Sequence, residues 1–462
     1  MGESSEFGHT NPEVAYGCSR VEHRPESNAP RQSKSSYDQR RETNSRMSVR
    51  LPLPSANREA IETFVASHLA GLFGDEAHGS LRFVGGQRAA DARLASFDVT
   101  GYGKRRNEVA PQPKRGASGL SPYIRHGLIS LQQAWDHVAG GEVEDVEAFR
   151  NELLWQEYAR HWYARLGRAT KAGLRNELKP SIEQVSWNTD MACLDLSVGE
   201  LEEEGWLVNQ ARLWMASHFV VREGGDWRIG EEYFFKHLLD GSRAANRLGW
   251  QWATGIGSAR VYGFSRWQVE KRAAGLCASC DLVHSCPIEK WPAEPELIPV
   301  ETPASLSSDH HLSTTRGPIE PVIAAEPQAV WLTAESLGTT DPALVANPDL
   351  PVIFVFDEPL LQRLQLSGKR LVFLARTLAE LGESREVELW RGHPIDVVRG
   401  RRAAATFAPV PGFRSKASTV KLAELYPYPW LRLPADGSIA SFEAWKRQFN
   451  SEGYHDRMVP VE

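Results

Sequence analysis

The stretch from residue 240 to residue 252, Asp-Gly-Ser-Arg-Ala-Ala-Asn-Arg-Leu-Gly-Trp-Gln-Trp, constrains this chain more than any other. It follows an amphipathic run, residues 225–239, whose apolar residues recur at the spacing of one helix face. A turn at Gly241 separates this run from the segment that carries an asparagine and two tryptophans. Such a segment fits a core helix with buried indoles, or a site that uses its rings for stacking or electron transfer.

A segment of small residues, Gly-Ala-Ser-Gly-Leu-Ser at 116–121, precedes an apolar helix. The free amide protons at a helix start, together with a serine hydroxyl, can bind an anion such as a phosphate. An ordinary serine cap with Pro122 in the first turn produces the same pattern. The spacing alone leaves both interpretations open.

Two further helical segments place polar side chains among apolar ones. Phe149, Glu152 and Trp155 share one face of a helix with Gln156, since they are three or four residues apart. Asn209 and Arg212 stand on one face of another helix by the same rule. Either pattern fits a solvated edge of an amphipathic helix or the wall of a ligand site.

The cysteines have the spacing of a metal site. Cys277, Cys280 and Cys286 lie close together in the sequence, and two cysteines separated by two residues can bind one centre. The fourth ligand must come from elsewhere, and the candidates are Cys193 and His284. Spacing alone allows zinc, an iron–sulfur cluster or uncoordinated thiols.

The C-terminal part has a different pattern. Residues 291–325 are rich in Pro, Glu, Ser and Thr and indicate a linker. Apolar runs at 329–333, 351–356 and 387–390 predict parallel strands, and residues 369–381 predict an amphipathic helix between two of them. Residues 326–450 are therefore predicted to form a small, doubly wound α/β domain. No Gly-x-Gly-x-x-Gly fingerprint accompanies it.

Composition limits the class of protein. Residues 1–47 are polar and predict a disordered tail, and residues 451–462 are predicted to be a second tail. No apolar run reaches the ~18 residues that span a bilayer, and no signal peptide begins the chain. Five cysteines in 462 residues do not indicate a secreted disulfide framework. We expect a soluble, cytoplasmic protein without a membrane partner. Its formal charge of −6 excludes a wholly basic nucleic-acid coat protein.

Taken in order, these segments resemble the photolyase/cryptochrome family over residues 83 to 270. The resemblance implies a helical FAD-binding domain at 48–290 and a cytosolic bacterial enzyme, nucleoid-associated when on DNA, that acts as a monomer on UV-damaged DNA. The implied FAD-binding residues are Tyr102, Ala117, Ser118, Gly119, Leu120, Ser121, Phe149, Glu152, Asn209, Arg212, Asp240, Ser242 and Asn246. The implied substrate and catalytic residues are Glu152, Trp155, Asn209, Trp252 and Asn246, the last near the reactive flavin nitrogen. The implied chain for photoreduction consists of Trp250, Trp227 and Trp187.

The cysteine arrangement is similar to that of a bacterial branch of the family with a four-iron cluster. This likeness implies a [4Fe–4S] cluster in a structural role, with the ligands Cys193, Cys277, Cys280 and Cys286. Ordinary photolyases carry a Rossmann-like, parallel-sheet α/β domain before the mostly α-helical FAD domain, whereas here the matching part follows it. The chain thus resembles a circularly permuted photolyase with a shortened α/β domain, in which an antenna chromophore is uncertain.

The implied reaction is light-driven electron transfer to a pyrimidine dimer that has been flipped out of the duplex. Gln210 stands where dimer photolyases usually have Arg, and Ser242 where they have Asp. Photolyases of the (6-4) type place His at the positions of Asn209 and Leu213, so cyclobutane dimers are favoured, although the iron–sulfur branch is associated with (6-4) repair. The alternatives are a cryptochrome-like photoreceptor and a flavin-free DNA- or metal-binding protein.

Overall fold

The computed structural model describes residues 48–182, 186–187, 189–258 and 260–449. The predicted tails, residues 1–47 and 451–462, lie outside these ranges. The helical part and the sheet belong to one compact unit, Met47–Glu462. In the described residues, no helix is both long and apolar enough to cross a membrane.

The helices of the described chain follow one another from the first part of the chain to its end. They are α1 (Arg58–His68), α2 (Gln87–Ala95), α3 (Tyr102–Arg105), α4 (Ser121–Arg125), α5 (Leu131–His137), α6 (Val143–Leu166), α7 (Ala192–Glu204), α8 (Asn209–Ala216), α9 (Trp227–His237), α10 (Ala245–Ala253), α11 (Arg266–Arg272), α12 (Leu312–Arg316), α13 (Pro342–Ala346), α14 (Glu358–Leu364), α15 (Gly368–Leu381), α16 (Pro394–Val398), α17 (Pro411–Val420) and α18 (Phe442–Arg447). A π-helical turn, Ser217–Arg222, continues α8.

The strands lie mainly in the second half of the chain. They are β1 (Val49–Leu51), β2 (Asn176–Glu177), β3 (Ile298–Pro299), β4 (Val322–Ile323), β5 (Ala329–Leu332), β6 (Val352–Asp357), β7 (Val387–Gly392), β8 (Ala403–Thr406) and β9 (Glu424–Tyr426). The strands and the helix that the sequence predicts at 329–333, 351–356, 387–390 and 369–381 are confirmed as β5, β6, β7 and α15.

The larger sheet of the described chain has seven strands in the order β1-β7-β6-β5-β8-β9-β4. Its five central strands are parallel, and β1 and β4 add antiparallel edges. Side chains on β5 and β6 alternate between two cores. Val330 and Phe354 enter one, and Trp331 and Ile353 enter the other. Because both faces are buried, these strands consist of nearly continuous apolar residues, which is why they could be predicted.

The first strand of the described chain belongs to the sheet, although the sequence predicts a helical domain from residue 48 onward. Val49 pairs with Arg391 and Leu51 pairs with Leu389, so β1 closes one edge of the sheet. The following helix, α1, packs against α15. A strand of three residues is too short for its periodicity to be recognised.

Residues 291–325, predicted as a linker, contain short paired segments. Ile298 of β3 pairs with Glu177 of β2, and Ile323 of β4 pairs with Glu424 of β9. The segment therefore runs along both parts of the molecule before the first parallel strand begins.

The helices that carry the predicted site have recognisable ends. The longest, α6, stops at Gly167, whose φ of +52° suits glycine. Asp226 caps α9, since its carboxylate accepts a hydrogen bond from the amide of Arg228. The cluster formed by α7–α11 buries Trp214, Trp227 and Trp250. This packing sets α9 against α10 and so fixes the two segments on either side of Gly241.

Candidate flavin pocket and cysteine cluster

A cavity of about 1390 Å³ lies between the helical part and the carboxyl ends of β5 and β6. This volume exceeds the range of about 300–1,000 Å³ for drug-sized ligands, so the cavity is large enough for a dinucleotide cofactor. Most of the predicted site residues line it: Tyr102, Ala117, Ser118, Gly119, Ser121, Phe149, Glu152, Trp155, Asn209, Arg212, Asp240, Ser242, Asn246, Trp250 and Trp252. Leu120 is fully buried in the core, and Trp187 and Trp227 also lie outside the lining.

Asp240 has one partner and one orphaned oxygen. Arg212 Nη2 donates to Asp240 Oδ2 at 2.7 Å, and the side chain of Asp240 is 5% exposed. Asp240 Oδ1 is buried without a hydrogen-bond donor in the described residues. A buried carboxylate oxygen without a donor is costly, so a bound group that carries an N–H or O–H fits this position.

The carbonyl of Gly241, next to Asp240, is held from two directions. Arg125 Nε donates to it at 3.1 Å and Arg370 Nη2 at 3.0 Å, and Arg370 comes from α15 beside the sheet. Burial, followed by the nearby charge of Arg125, lowers the pKa of Arg370 to about 9. The turn that positions Asp240 is therefore fixed partly by the sheet region.

Asn246 is oriented by Glu231. Its Nδ2 donates to the Glu231 backbone oxygen at 2.8 Å and to Glu231 Oε1 at 3.0 Å. Because both partners are acceptors, the atom facing them must be the amide nitrogen. Asn246 Oδ1 is then the side-chain atom left to act as an acceptor for a group in the cavity. This is the polarity that a protonated ring nitrogen of reduced flavin requires.

Glu231 is itself held by cations. Arg243 Nη1 donates to its Oε2, and Arg247 Nε lies 3.5 Å from the same oxygen. Burial disfavours the charged form of Arg243. The attraction of Glu231 and Glu232 outweighs this effect and raises the pKa of the Arg243 guanidinium. Glu231, Arg243 and Arg247 were not assigned a role from the sequence. A glutamate between Trp227 and Phe235 on the buried face of α9 is the signal that could have indicated one.

The predicted substrate residues meet at the same cavity. Arg106 forms an ion pair with Glu152, and both side chains remain about one-third exposed. Trp155 is half-buried and lines the cavity, with its ring stacked on Phe442 at 4.0 Å and 9°. Trp252 is 44% exposed and lies 6.1 Å from the ring of Tyr262. The contact with Phe442 could not be foreseen, because α18 is distant in sequence.

The segment that the sequence predicts to bind a phosphate contributes Ala117, Ser118, Gly119 and Ser121 to the lining of the cavity. Gly119 has a φ of +67°, and Arg93 Nε donates to the carbonyl of Ser118 at 2.7 Å. Ser121 Oγ accepts from Trp206 Nε1 at 3.0 Å. A Cβ at Gly119 would lie 2.5 Å from Arg93 Nη2, so glycine suits this position both sterically and conformationally.

The predicted electron-transfer tryptophans occupy different surroundings. Trp250 is buried, and its ring meets Phe219 edge-on at 6.0 Å. Trp187 stacks on two rings, with its centroid 4.7 Å from that of Phe219 and 4.8 Å from that of Tyr233. Trp227 is buried with the guanidinium of Arg228 4.8 Å from its ring. Rings therefore continue from Trp250 through Phe219 to the half-buried Trp187.

Four cysteines line a second, small cavity of about 20 Å³: Cys193, Cys277, Cys280 and Cys286. Cys193 comes from the start of α7, and the other three follow α11. Burial, followed by Cys277, raises the pKa of the Cys193 thiol to about 12. His284 is exposed and does not line this cavity, so Cys193 is the fourth residue gathered here. Within the described ranges, no three His, Cys, Asp or Glu side chains stand close enough to hold a single metal ion.

Residues 149–273, from α6 to the end of α11, match the family model for the FAD binding domain of DNA photolyase. This segment is a FAD binding domain of the DNA photolyase type. The matched segment contains Glu152, Asn209, Asp240, Asn246 and Trp250. The resemblance seen in the sequence is thereby confirmed at the level of the family, and the FAD-binding character of the helical part with it.

Relatives match about a third of the chain. The chain is 30% identical over 194 residues to the deoxyribodipyrimidine photo-lyase of Synechococcus sp. The matched region covers 37% of this chain and 39% of the relative. The chain is 35% identical over 158 residues to the enzyme of the same name from Alkalihalophilus pseudofirmus, covering 32% of this chain and 33% of the relative. The chain thus spans less than half the length of these relatives.

Solved structures of the family also match. A Synechocystis cryptochrome is 23% identical with a TM-score of 0.39, covering 43% of this chain and 46% of that one. A class III photolyase from Agrobacterium tumefaciens is 26% identical with a TM-score of 0.33, covering 40% of this chain and 42% of that one.

Proposed function

We propose that this protein is a light-driven DNA repair photolyase that transfers an electron to a UV-induced pyrimidine dimer, with cyclobutane dimers favoured over (6-4) photoproducts. The observation that carries the proposal is the orientation of Asn246. Glu231 takes both amide hydrogens, so an acceptor oxygen remains for the cavity in the segment that matches the FAD binding domain. Bound FAD supplies the light-absorbing redox centre.

The chain's own residues then have separate tasks. Asp240 Oδ1 would accept a hydrogen bond from bound FAD, and Arg212 holds that carboxylate in place. Asn246 Oδ1, left free by the bonds of Nδ2 to Glu231, would accept a hydrogen bond from a ring N–H of the flavin and would so tune its protonation. Ser118, Gly119 and Ser121 offer amide protons and hydroxyls to the pyrophosphate.

The substrate side of the cavity receives the lesion after it leaves the duplex. Unstacking a damaged base costs less than unstacking a normal one, because the lesion pairs and stacks poorly. Trp155 and Trp252 offer apolar faces to the flipped dimer, while Glu152 and Asn209 offer polar contacts to its base edges. Asn209 and Leu213 have no titratable group, which favours cyclobutane splitting over a repair that needs an acid at these positions.

The decisive experiment uses the purified full-length protein, chemically reduced, with an oligonucleotide that contains one thymine cyclobutane dimer. Blue light should restore the thymine absorbance at 260 nm, and a parallel (6-4) oligonucleotide should remain unchanged. The variant Trp252→Ala should retain flavin but bind the lesion more weakly, and it therefore separates cofactor binding from substrate binding. A flavin-containing wild type that restores neither lesion would refute repair.

A cryptochrome-like photoreceptor is the second candidate, and one contact favours it. Arg106 already engages Glu152. In a receptor, this glutamate has no lesion to bind. Photoreduction without repair of either lesion would support this alternative.

We also propose that Cys193, Cys277, Cys280 and Cys286 hold a [4Fe–4S] cluster. Four thiols around one cavity form the usual donor set of such a cluster, and it would connect the start of α7 to the segment after α11. Iron and acid-labile sulfide should each amount to about four per chain. Cys280→Ser should lose both and become less stable, whereas Ser279→Ala should keep them. Stoichiometric zinc without sulfide would refute the cluster.

The order of the two parts supports circular permutation as a further proposal. The FAD-binding match ends at residue 273, and the parallel strands begin with β5 at Ala329. Permutation requires that the original ends of the chain were near each other at the surface, which is common in domains.

A further inference from the structure

The last described helix, α18, lies against the substrate side of the pocket. The ring of Phe442 stacks on Trp155 at 4.0 Å, and Tyr158 meets both rings edge-on, at 5.7 Å from Trp155 and 5.8 Å from Phe442. Phe442 is buried, whereas Trp155 is half-buried and lines the cavity. One face of this indole is therefore supported by α18, and the same side chain borders the cavity.

Specific contacts fix α18 to the helical part. Trp445 Nε1 donates to His161 Nδ1 at 2.9 Å, and the Tyr158 hydroxyl donates to the carbonyl of Ile439 at 2.9 Å. Ser441 caps the helix by accepting from the amide of Ala444 at 3.1 Å. With buried indole and hydroxyl groups satisfied in this way, the helix has a defined position, and so have the charges on it.

The last turn of α18 carries two cations, Lys446 and Arg447. Lys446 Nζ lies 5.9 Å from the ring centre of Phe442, and Arg447 is exposed. Neither forms an ion pair within the described part of the chain. Arg168 and Lys171 are exposed and line the cavity itself. The acidic residue of α18, Glu443, stands at the opposite end of the helix.

We propose that α18 is part of the DNA-binding surface: Phe442 holds Trp155 in position for the lesion, and Lys446 and Arg447 contact phosphates beside the flipped nucleotides. Phosphate contacts orient a protein on DNA without reading sequence, which suits an enzyme that must find damage in any sequence. A nucleotide extruded into the cavity brings its flanking phosphates to the rim. This inference rests on the proposed repair function.

The test measures binding of the full-length protein to a duplex with one cyclobutane dimer, by fluorescence anisotropy in the dark, at several salt concentrations. For Lys446→Gln/Arg447→Gln, the slope of log Kobs against log salt should decrease in magnitude by about 2, one for each phosphate that is no longer neutralised. The ratio of the variant Kd to the wild-type Kd should accordingly fall about tenfold between 50 and 200 mM salt.

Arg399→Gln/Arg402→Gln is the matched control, because it removes two exposed cations that lie outside the cavity. It should keep the wild-type slope. Equal slopes for Lys446→Gln/Arg447→Gln and wild type would overturn the phosphate contacts while leaving repair intact. Failure of the wild type to prefer the damaged duplex would overturn both proposals.

Phe442→Leu tests the positioning role separately. Leucine keeps an apolar side chain in the core but removes the stack on Trp155. The preference for damaged over undamaged duplex should decrease several-fold, with the salt slope unchanged, since no charge is altered. An unchanged preference would refute the role of Phe442.

Discussion

Replacing Gly230 by alanine should destabilise the protein, although alanine is the better helix former. Gly230 lies in α9, where that helix contacts Trp250 of α10. A Cβ at this position would lie 2.1 Å from Cη2 and 2.4 Å from Cζ3 of Trp250. The indole cannot easily withdraw, because it is buried and packs against Phe234 at 5.0 Å and Phe219 at 6.0 Å.

The expected magnitude follows from two opposing effects. Alanine in place of glycine in a helix stabilises by about 1 kcal/mol, and overpacking a tight core costs about 1–3 kcal/mol or more. Gly199→Ala in α7 isolates the first effect, because a Cβ there meets nothing within 4 Å. We therefore expect Gly230→Ala to be less stable than Gly199→Ala by roughly 1–3 kcal/mol.

The assay is thermal unfolding of the two variants followed by circular dichroism. For a chain of this size, a difference of 1–3 kcal/mol corresponds to a separation of roughly 1–3 °C in Tm. Photoreduction of the bound flavin should also be slower in Gly230→Ala, because the displaced ring is that of Trp250. Equal Tm values for the two variants would refute the close contact between α9 and α10.

Three further predictions concern single side chains. Asn246→Asp should place a second carboxylate beside Glu231 Oε1 and destabilise the reduced flavin by on the order of 1 kcal/mol, measured as a lower midpoint potential; an unchanged potential would contradict the placement of Asn246. Trp250→Phe should nearly abolish photoreduction but leave repair by the chemically reduced protein intact; normal photoreduction would exclude Trp250 from the electron path. Burial raises the pKa of Asp341 to about 7, so the folded state binds the proton more tightly than the unfolded state, and the free energy of unfolding should fall as pH rises from about 4 to about 7. Asp341→Asn should flatten this part of the pH–stability curve, and an unchanged curve would show that another group is responsible.

Local patterns predicted several of the individual elements. The strands β5, β6 and β7 could be predicted because both of their faces are buried, which gives continuous apolar runs. The segments around Asp240, Asn209 and Glu152 could be recognised because each holds its residues at short, helical spacing. Cys277, Cys280 and Cys286 could be grouped because they lie close together in the sequence. Their spacing did not decide whether Cys193 or His284 joins them.

That choice, and most of the chemistry, depended on contacts between distant segments. The sequence places His284 nearer to the other cysteines, but the fold brings Cys193 to their cavity and leaves His284 exposed. Likewise, β1 joins the sheet through a strand partner far along the chain, as the pairing of Leu51 with Leu389 shows.

By itself, the sequence indicated the family, the helical FAD-binding segment and most of the predicted residues that line one cavity. Only the tertiary structure decided how those residues can act. Glu231 fixes which atom of Asn246 faces the cavity, Arg370 of α15 holds the turn beside Asp240, and Phe442 supports Trp155. The physical reason is that helical and strand periodicity are local, whereas hydrogen-bond partners and stacking partners are set by packing between segments far apart in the chain.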